Sequence, residues 1–346
     1  MEITELSMAS PVVSWRKLVR CFSCILLSLT VMSVELQLKA DDLTVTPTAH
    51  TPRQLAPGVL TVIAPQPKEE ETFSGPRELV DVVKGIDDLD WHPNFTPETR
   101  TLLEQSKSVI YRRAIWNLEF AFMPLRLLHV ATPQADGRME SKLVWYLVYR
   151  VKNHGRHLMP TPQEDAWGNQ LFNASEVNHS IRFFPRFILV SHEKKQSHMD
   201  QLLPAALKQI KIQERLGRPL LDSVSISLAD IPISTERIDR SAWGVATWTD
   251  IDPHTDFFSV FVRGLTNAYR FTDSAADFQP GKPPGFTRHT EAKILQLNFW
   301  RPGDFVRENE QEVHFGIPGV SEPIPDQSVL ELYGLHKRLD YQWLYR

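Results

Sequence analysis

The sequence predicts a mainly β protein with a few helices, an α+β chain built as an antiparallel β-sandwich or as two packed sandwiches. Three observations carry that expectation. Apolar residues alternate with polar ones in many short runs, the period-two signature of a half-buried strand. Clusters of Gly, Pro, Asn and Asp separate those runs. Only two segments, near residues 95–114 and 204–219, carry helix periodicity and helix-end signals. Composition agrees. The 346 residues are 42% hydrophobic and 23% charged, with 18 Phe, 9 Trp and 7 Tyr to fill a large core.

The N-terminus reads as an export signal over residues 1–40. Arg16, Lys17 and Arg20 form a basic region, and "CFSCILLSLTVMSV" is an uncharged apolar stretch of 14 residues. As a helix it would rise about 21 Å, short of a ~30 Å hydrocarbon core. Leu38 and Ala40 stand where a signal peptidase reads, so the expectation is a secreted or periplasmic chain beginning at Asp41. No stable membrane span would remain after cleavage. Cys21 and Cys24 are the only cysteines and both lie in the signal. Cys24 is misplaced for lipid attachment. The mature chain would therefore hold no disulfide, thiolate metal site or Cys nucleophile. Net charge is −4 for the whole chain and would be −5 without residues 1–40. That balance argues against nucleic acid or anionic lipid as the main partner.

Residues 41–76 hold Pro47, Pro52, Pro57, Pro65, Pro67 and Pro76, and read as a tether. Within it "GVLTVIA" has the β-branched character to add as an edge strand. Two β-rich domains are expected next, residues 77–218 with two helices and residues 219–346, or the two packed as one unit.

In "FTPETRTLLEQSKSVIYRRA", Thr96 suits an N-cap, Pro97 the first helical position, and Leu102, Leu103, Val109 and Ile110 one face. "IWNLEFAFMPLRLLHV" alternates through Trp116, Leu118, Phe120 and Phe122 and is broken at Pro124, which cannot donate to a ladder. "PQADGR" is a turn. "KLVWYLVYRVKNHGR" is apolar on both faces in its middle, as a central strand would be. "IRFFPRFILVSH" is another strand. "PAALKQIKIQERLGRP" is a helix with Ala206, Leu207, Ile210 and Leu216 buried and Lys208, Lys211, Gln213 and Glu214 wet. "SVSISLADIPI", "WGVATW", "FFSVFVRGLTN", "AKILQLNFW" and "YQWLYR" read as strands, with a polar loop over residues 272–290. The ends of "LVYRVKNHGR" and "VFVRGLTNAYR" share an Arg and a strand-closing Asn, a faint internal echo.

The candidate metal site is "DIDPHTD", where Asp250, Asp252, His254 and Asp256 alternate and would point one way from an extended chain. Ca²⁺ is the ion such carboxylates suit. The EF-hand pattern fails, because Thr255 and Phe261 stand where Gly and Glu are needed. His254 and Asp256 would also fit two legs of a non-haem iron triad, with His289 or His314 as the third. The 2-oxoglutarate variant lacks its Arg, since the next one after His314 is Arg338. Asp87, Asp88, Asp90 and His92 form a second acidic patch, and His154 with His157 a histidine pair. Each has a plainer reading as surface or loop. Trp91, Trp167, Trp248 and Trp300 lie at strand ends or in loops and would suit sugar stacking if exposed. Asn94, Asn173 and Asn178 head N-x-S/T triplets. Nucleophile-elbow, P-loop and dinucleotide patterns are absent from the sequence.

The strings "FFSVFVRGLTNAYRF", "KILQLNFWRPGD" and "LDYQWLYR" together resemble a group of uncharacterised secreted proteins of planctomycete-type bacteria. The resemblance covers the chain after about residue 80 and implies export and an envelope setting, with no activity or cofactor attached. The functional expectation is thus a non-catalytic exported protein with an envelope structural or partner-binding role, its partner an envelope protein or glycan. The alternative is a metal-dependent hydrolase or non-haem iron oxygenase using the Asp250–Asp256 cluster.

Overall fold

A run apolar on both faces needs cover on both sides, and the segment around Trp145 obtains it. The computed structural model describes residues 59–77, 109–133, 136–168, 170–272, 286–301, 312–318 and 326–346, with single positions 104, 279 and 282. Residues 54–346 form one compact unit; the other, residues 1–53, lies outside the described residues together with the expected signal.

In chain order the strands are β1 (Thr61–Ile63), β2 (Phe73–Arg77), β3 (Val109–Arg112), β4 (Glu119–Phe122), β5 (Arg126–Pro133), β6 (Met139–Lys152), β7 (His157–Glu164), β8 (Gln170–Val177) and β9 (Ile181–Arg182). They continue with β10 (Arg186–Ser191), β11 (Gln196–Met199), β12 (Asp230–Ile231), β13 (Ala242–Trp248), β14 (Phe257–Arg263), β15 (Tyr269–Thr272), β16 (His289–Trp300), β17 (His314–Phe315) and β18 (Tyr341–Tyr345). Among the described residues the helices are α1 (Pro204–Gln213), α2 (Ser223–Ser227) and α3 (Asp326–Tyr333).

Two antiparallel sheets dominate, each built on one long strand. β6 carries β4 and β5 in succession along one edge and β13 along the other, with β1 outside β4. β16 carries β14 and β15 along one edge and β18 and β17 along the other, with β10 and β11 outside β14. Both sheets thus lay a two-part strand against a long return strand. The sequence echo had instead matched β6 with β14, which hold different places.

The sheets meet face to face through Phe120, Phe122, Trp145, Leu147 and Tyr149 on one side and Phe187, Phe258, Val260, Leu297 and Phe299 on the other. Ring centroids of Trp145 and Phe258 are 5.4 Å apart, and those of Tyr149 and Phe187 4.7 Å. Each such buried side chain contributes about 1.5–3 kcal/mol of transfer free energy. α1 covers the outer face of β6, setting Ala206 and Ile210 on Val144, Tyr146 and Val148. α3 packs Val329 and Tyr333 with Ile317 and Phe257 beside the start of β14.

Several expectations are corrected. The Pro-rich segment joins the fold from residue 59: β1 pairs with β4 as the edge strand anticipated, and Glu71 is buried. Val109 and Ile110 lie in β3, paired with β2, and not on a helix face; β-branched neighbours suit that pairing. "SVSIS" is α2 and not a strand. The Asp222 side chain accepts the Ser225 amide at 2.6 Å and caps a helical turn, which buries Ile226 and exposes Val224 and Leu228. Glu214, expected in water, is buried; it accepts from the Arg126 guanidinium at 3.0 Å and the Tyr146 hydroxyl at 2.7 Å. Trp248 faces the core at 0% exposure. β6 and β13 pair across position 218, in keeping with the alternative that the two β-rich parts pack as one unit. Among the described residues no helix is long and apolar enough to cross a membrane.

Candidate functional site

The acidic segment follows β13, and its apolar and polar residues part ways. Ile251 and Thr255 are buried, which turns the carboxylates outward to separate cations. Asp250 adopts a left-handed φ of 59° and lies 3.9 Å from Lys142 Nζ. Asp252 accepts from Lys194 Nζ and from the His254 amide at 2.8 Å, and its carboxylate contacts His254 Nδ1 at 3.0 Å. The Lys194 hydrogen bond first, then the His254 amide, hold its pKa down at about 2. Asp256 carboxylate is 3.9 Å from Arg301 Nε, and its amide donates to Glu193. Only Asp252 and His254 are brought together. No three His, Asp or Glu side chains among the described residues form a group that could hold a metal ion.

The distant histidines do not complete the set. His289 opens β16, whose 12 residues extend over roughly 40 Å, while Trp300 at the other end pairs with Phe257. His314 stacks on Trp300 at 4.7 Å. His154 binds Glu119 at 2.8 Å, whereas His157 is buried against the His179 ring at 4.4 Å. Burial and then His179 lower the His157 pKa. Trp167 is 86% exposed at the β7–β8 tip. Asp87, Asp88, Asp90, Trp91, His92 and Asn94 lie outside the described residues.

A serine–histidine contact appears that no sequence motif announces. His192 Nε2 lies 2.7 Å from Ser259 Oγ. Ser259 donates to Asn298 Oδ1 at 2.7 Å, and Gln296 donates to both. The serine proton is committed, so His192 serves as the donor in its Nε2–H form. Ser259 is wholly buried, and the Tyr333 ring lies 4.7 Å from His192. Burial lowers the His192 pKa to about 4. This is a satisfied polar layer beside α3, with no activated nucleophile.

Uncommitted polar groups occur at another place on the second sheet. Arg186 opens β10, Arg263 closes β14, and the antiparallel register sets them directly opposite. Both are exposed, and among the described residues neither guanidinium has a hydrogen bond, ion pair or ring contact. Like charges in that position destabilise a strand pair. Beside them Gly264 has φ 98°, and a Cβ there would lie 2.2 Å from the Phe184 carbonyl oxygen, so only glycine lets the two chains approach. The opposite wall is clamped. The Trp116 amide donates to Asn267 Oδ1 at 2.9 Å, the Thr266 hydroxyl to the Trp116 carbonyl at 2.7 Å, and Asn267 Nδ2 to the Ala114 carbonyl at 2.9 Å.

The result is an open cleft of about 450 Å³ lined by Trp116, Phe184, Arg186, Arg263, Thr266 and Tyr269, among others. That volume falls within the range of ligand sites. Its lining holds two cations and three aromatic rings but no carboxylate, histidine or lysine. It can therefore hold an anion beside a ring, and it lacks the usual groups of acid–base catalysis. No protein-family model, curated protein or solved structure matches the chain.

Proposed function

We propose that this chain is an exported, non-catalytic binding protein of the cell envelope that holds an acidic partner at the Arg186–Arg263 cleft. The opposed, uncommitted arginines carry the reading. A like-charged pair beside exposed rings is costly in the free protein and becomes favourable once an anion lies between them. The signal-like N-terminus and the resemblance to secreted envelope proteins support the setting. The Asp250–Asp256 segment gives a metal-dependent enzyme no comparable support, because its carboxylates are divided among Lys142, Lys194 and Arg301.

Two measurements test this. Fractionation of a bacterial host expressing the full chain is expected to place it outside the cytoplasm with Asp41 as its new N-terminus. Cytosolic protein with an intact N-terminus overturns export. Citrate at low ionic strength is expected to raise the thermal midpoint of the full chain, since a ligand confined to the native state stabilises it. The rise should vanish in the Arg186→Gln/Arg263→Gln double variant. An equal rise in both proteins overturns the cleft as the site.

A further inference from the structure

We infer that the acidic partner is a uronate-bearing polysaccharide, with a sugar carboxylate between Arg186 and Arg263 and the sugar ring against the cleft's aromatic side chains. This rests on the anion-binding reading above and names its ligand. A planar carboxylate matches the guanidinium fork in a bidentate way, and the register sets two such residues directly opposite on adjacent strands. A bare anion would need nothing more. Yet Phe184 is 62% exposed in a concave place, beside Trp116, whose other side packs on the core, and Tyr269, one ring face of which carries the Arg113 guanidinium at 3.9 Å. Exposed rings in a cleft suit the C–H face of a sugar, which is apolar while its edge is polar.

Spacing supports a ligand with acid and ring in one unit. Phe184 and Arg186 are two residues apart in the chain, and both line the cleft. The Thr290 hydroxyl, exposed at the cleft and without a partner among the described residues, is available to a sugar hydroxyl. Nucleic acid fits less well. It needs a run of cations tracking successive phosphates, and the cleft offers two on a chain of net charge −4. No helix N-terminus of the kind that cradles phosphate lines the cleft.

The test is calorimetric titration of the full chain with tetragalacturonate, its carboxyl-reduced neutral counterpart, inorganic phosphate and a short single-stranded oligonucleotide. Tetragalacturonate is expected to bind, with affinity reduced at least tenfold by carboxyl reduction and by the Arg186→Gln/Arg263→Gln substitutions, at an unchanged thermal midpoint or a higher one. Phe184→Ala is expected to weaken tetragalacturonate several-fold while leaving citrate protection in place. Tighter binding of phosphate or oligonucleotide, lost in the arginine variant, overturns the uronate assignment and leaves the anion cleft standing. Tetragalacturonate binding that is equal in wild type and variant overturns both. So does failure of all four ligands in a protein that citrate also leaves unprotected.

Discussion

Gly244 shows how closely single side chains are fixed. It pairs with Tyr149 across β13 and β6, and a Cβ there would lie 2.4 Å from the tyrosine ring. Gly244→Ala is therefore expected to destabilise by about 1–3 kcal/mol, as overpacking does, measured by urea denaturation. His192 makes a prediction in pH. The unfolded histidine takes its proton near 6.5, the folded one at about 4 because burial disfavours the charge. Between those values the unfolded chain binds more protons, so stability falls as pH drops through that window, by up to about 3 kcal/mol, and is unaffected by this group above it. His192→Gln should flatten the slope in denaturation curves taken from pH 4 to 7. Such sites were poorly legible in the sequence. Arg186 and Arg263 each sit at the end of an apolar strand, an ordinary position, and only the register that pairs them makes a site. The alternating carboxylates of residues 250–256 were conspicuous, but Ile251 and Thr255 decide where they point.

Strands were easier to read than helices because burial of one face forces period two. β4, β14 and β18 fall within the apolar runs that announce them, whereas β13 begins one residue and β16 three residues before theirs, β16 inside the stretch expected as a polar loop. α2 was misread because Val224, Ile226 and Leu228 alternate, while the capping bond from Asp222 is a local interaction that outweighs the pattern. The ties between elements are also beyond sequence. Lys293 of β16 and Glu71, just before β2, form a buried ion pair at 2.6 Å, with side chains 5% and 6% exposed. The Tyr345 hydroxyl of β18 donates to the same Glu71 oxygen at 2.6 Å. Burial and then this hydrogen bond push the Tyr345 pKa well above the usual phenol range. One carboxylate thus joins the first described segment, the long strand and the last strand. Lys293→Met leaves that carboxylate buried without its cation, and should cost about 3–5 kcal/mol in the same denaturation assay.

Across the whole of residues 54–346, the two β-rich halves expected from sequence share one core, because β6 and β13 pair from opposite sides of position 218 and Trp145 packs on Phe258. Unfolding of this unit is expected to be a single transition by fluorescence and circular dichroism alike. Two separated transitions would restore the two-domain division. In the proposed reading Arg186 and Arg263 face each other for a ligand and not for the fold. The most direct measurement is the unfolding free energy of Arg263→Gln against the parent chain at low ionic strength without ligand. Relief of like-charge repulsion predicts a variant more stable by about 0.2–1 kcal/mol, with the difference shrinking as salt is added. A variant less stable than its parent would make Arg263 a structural residue and contradict the claim.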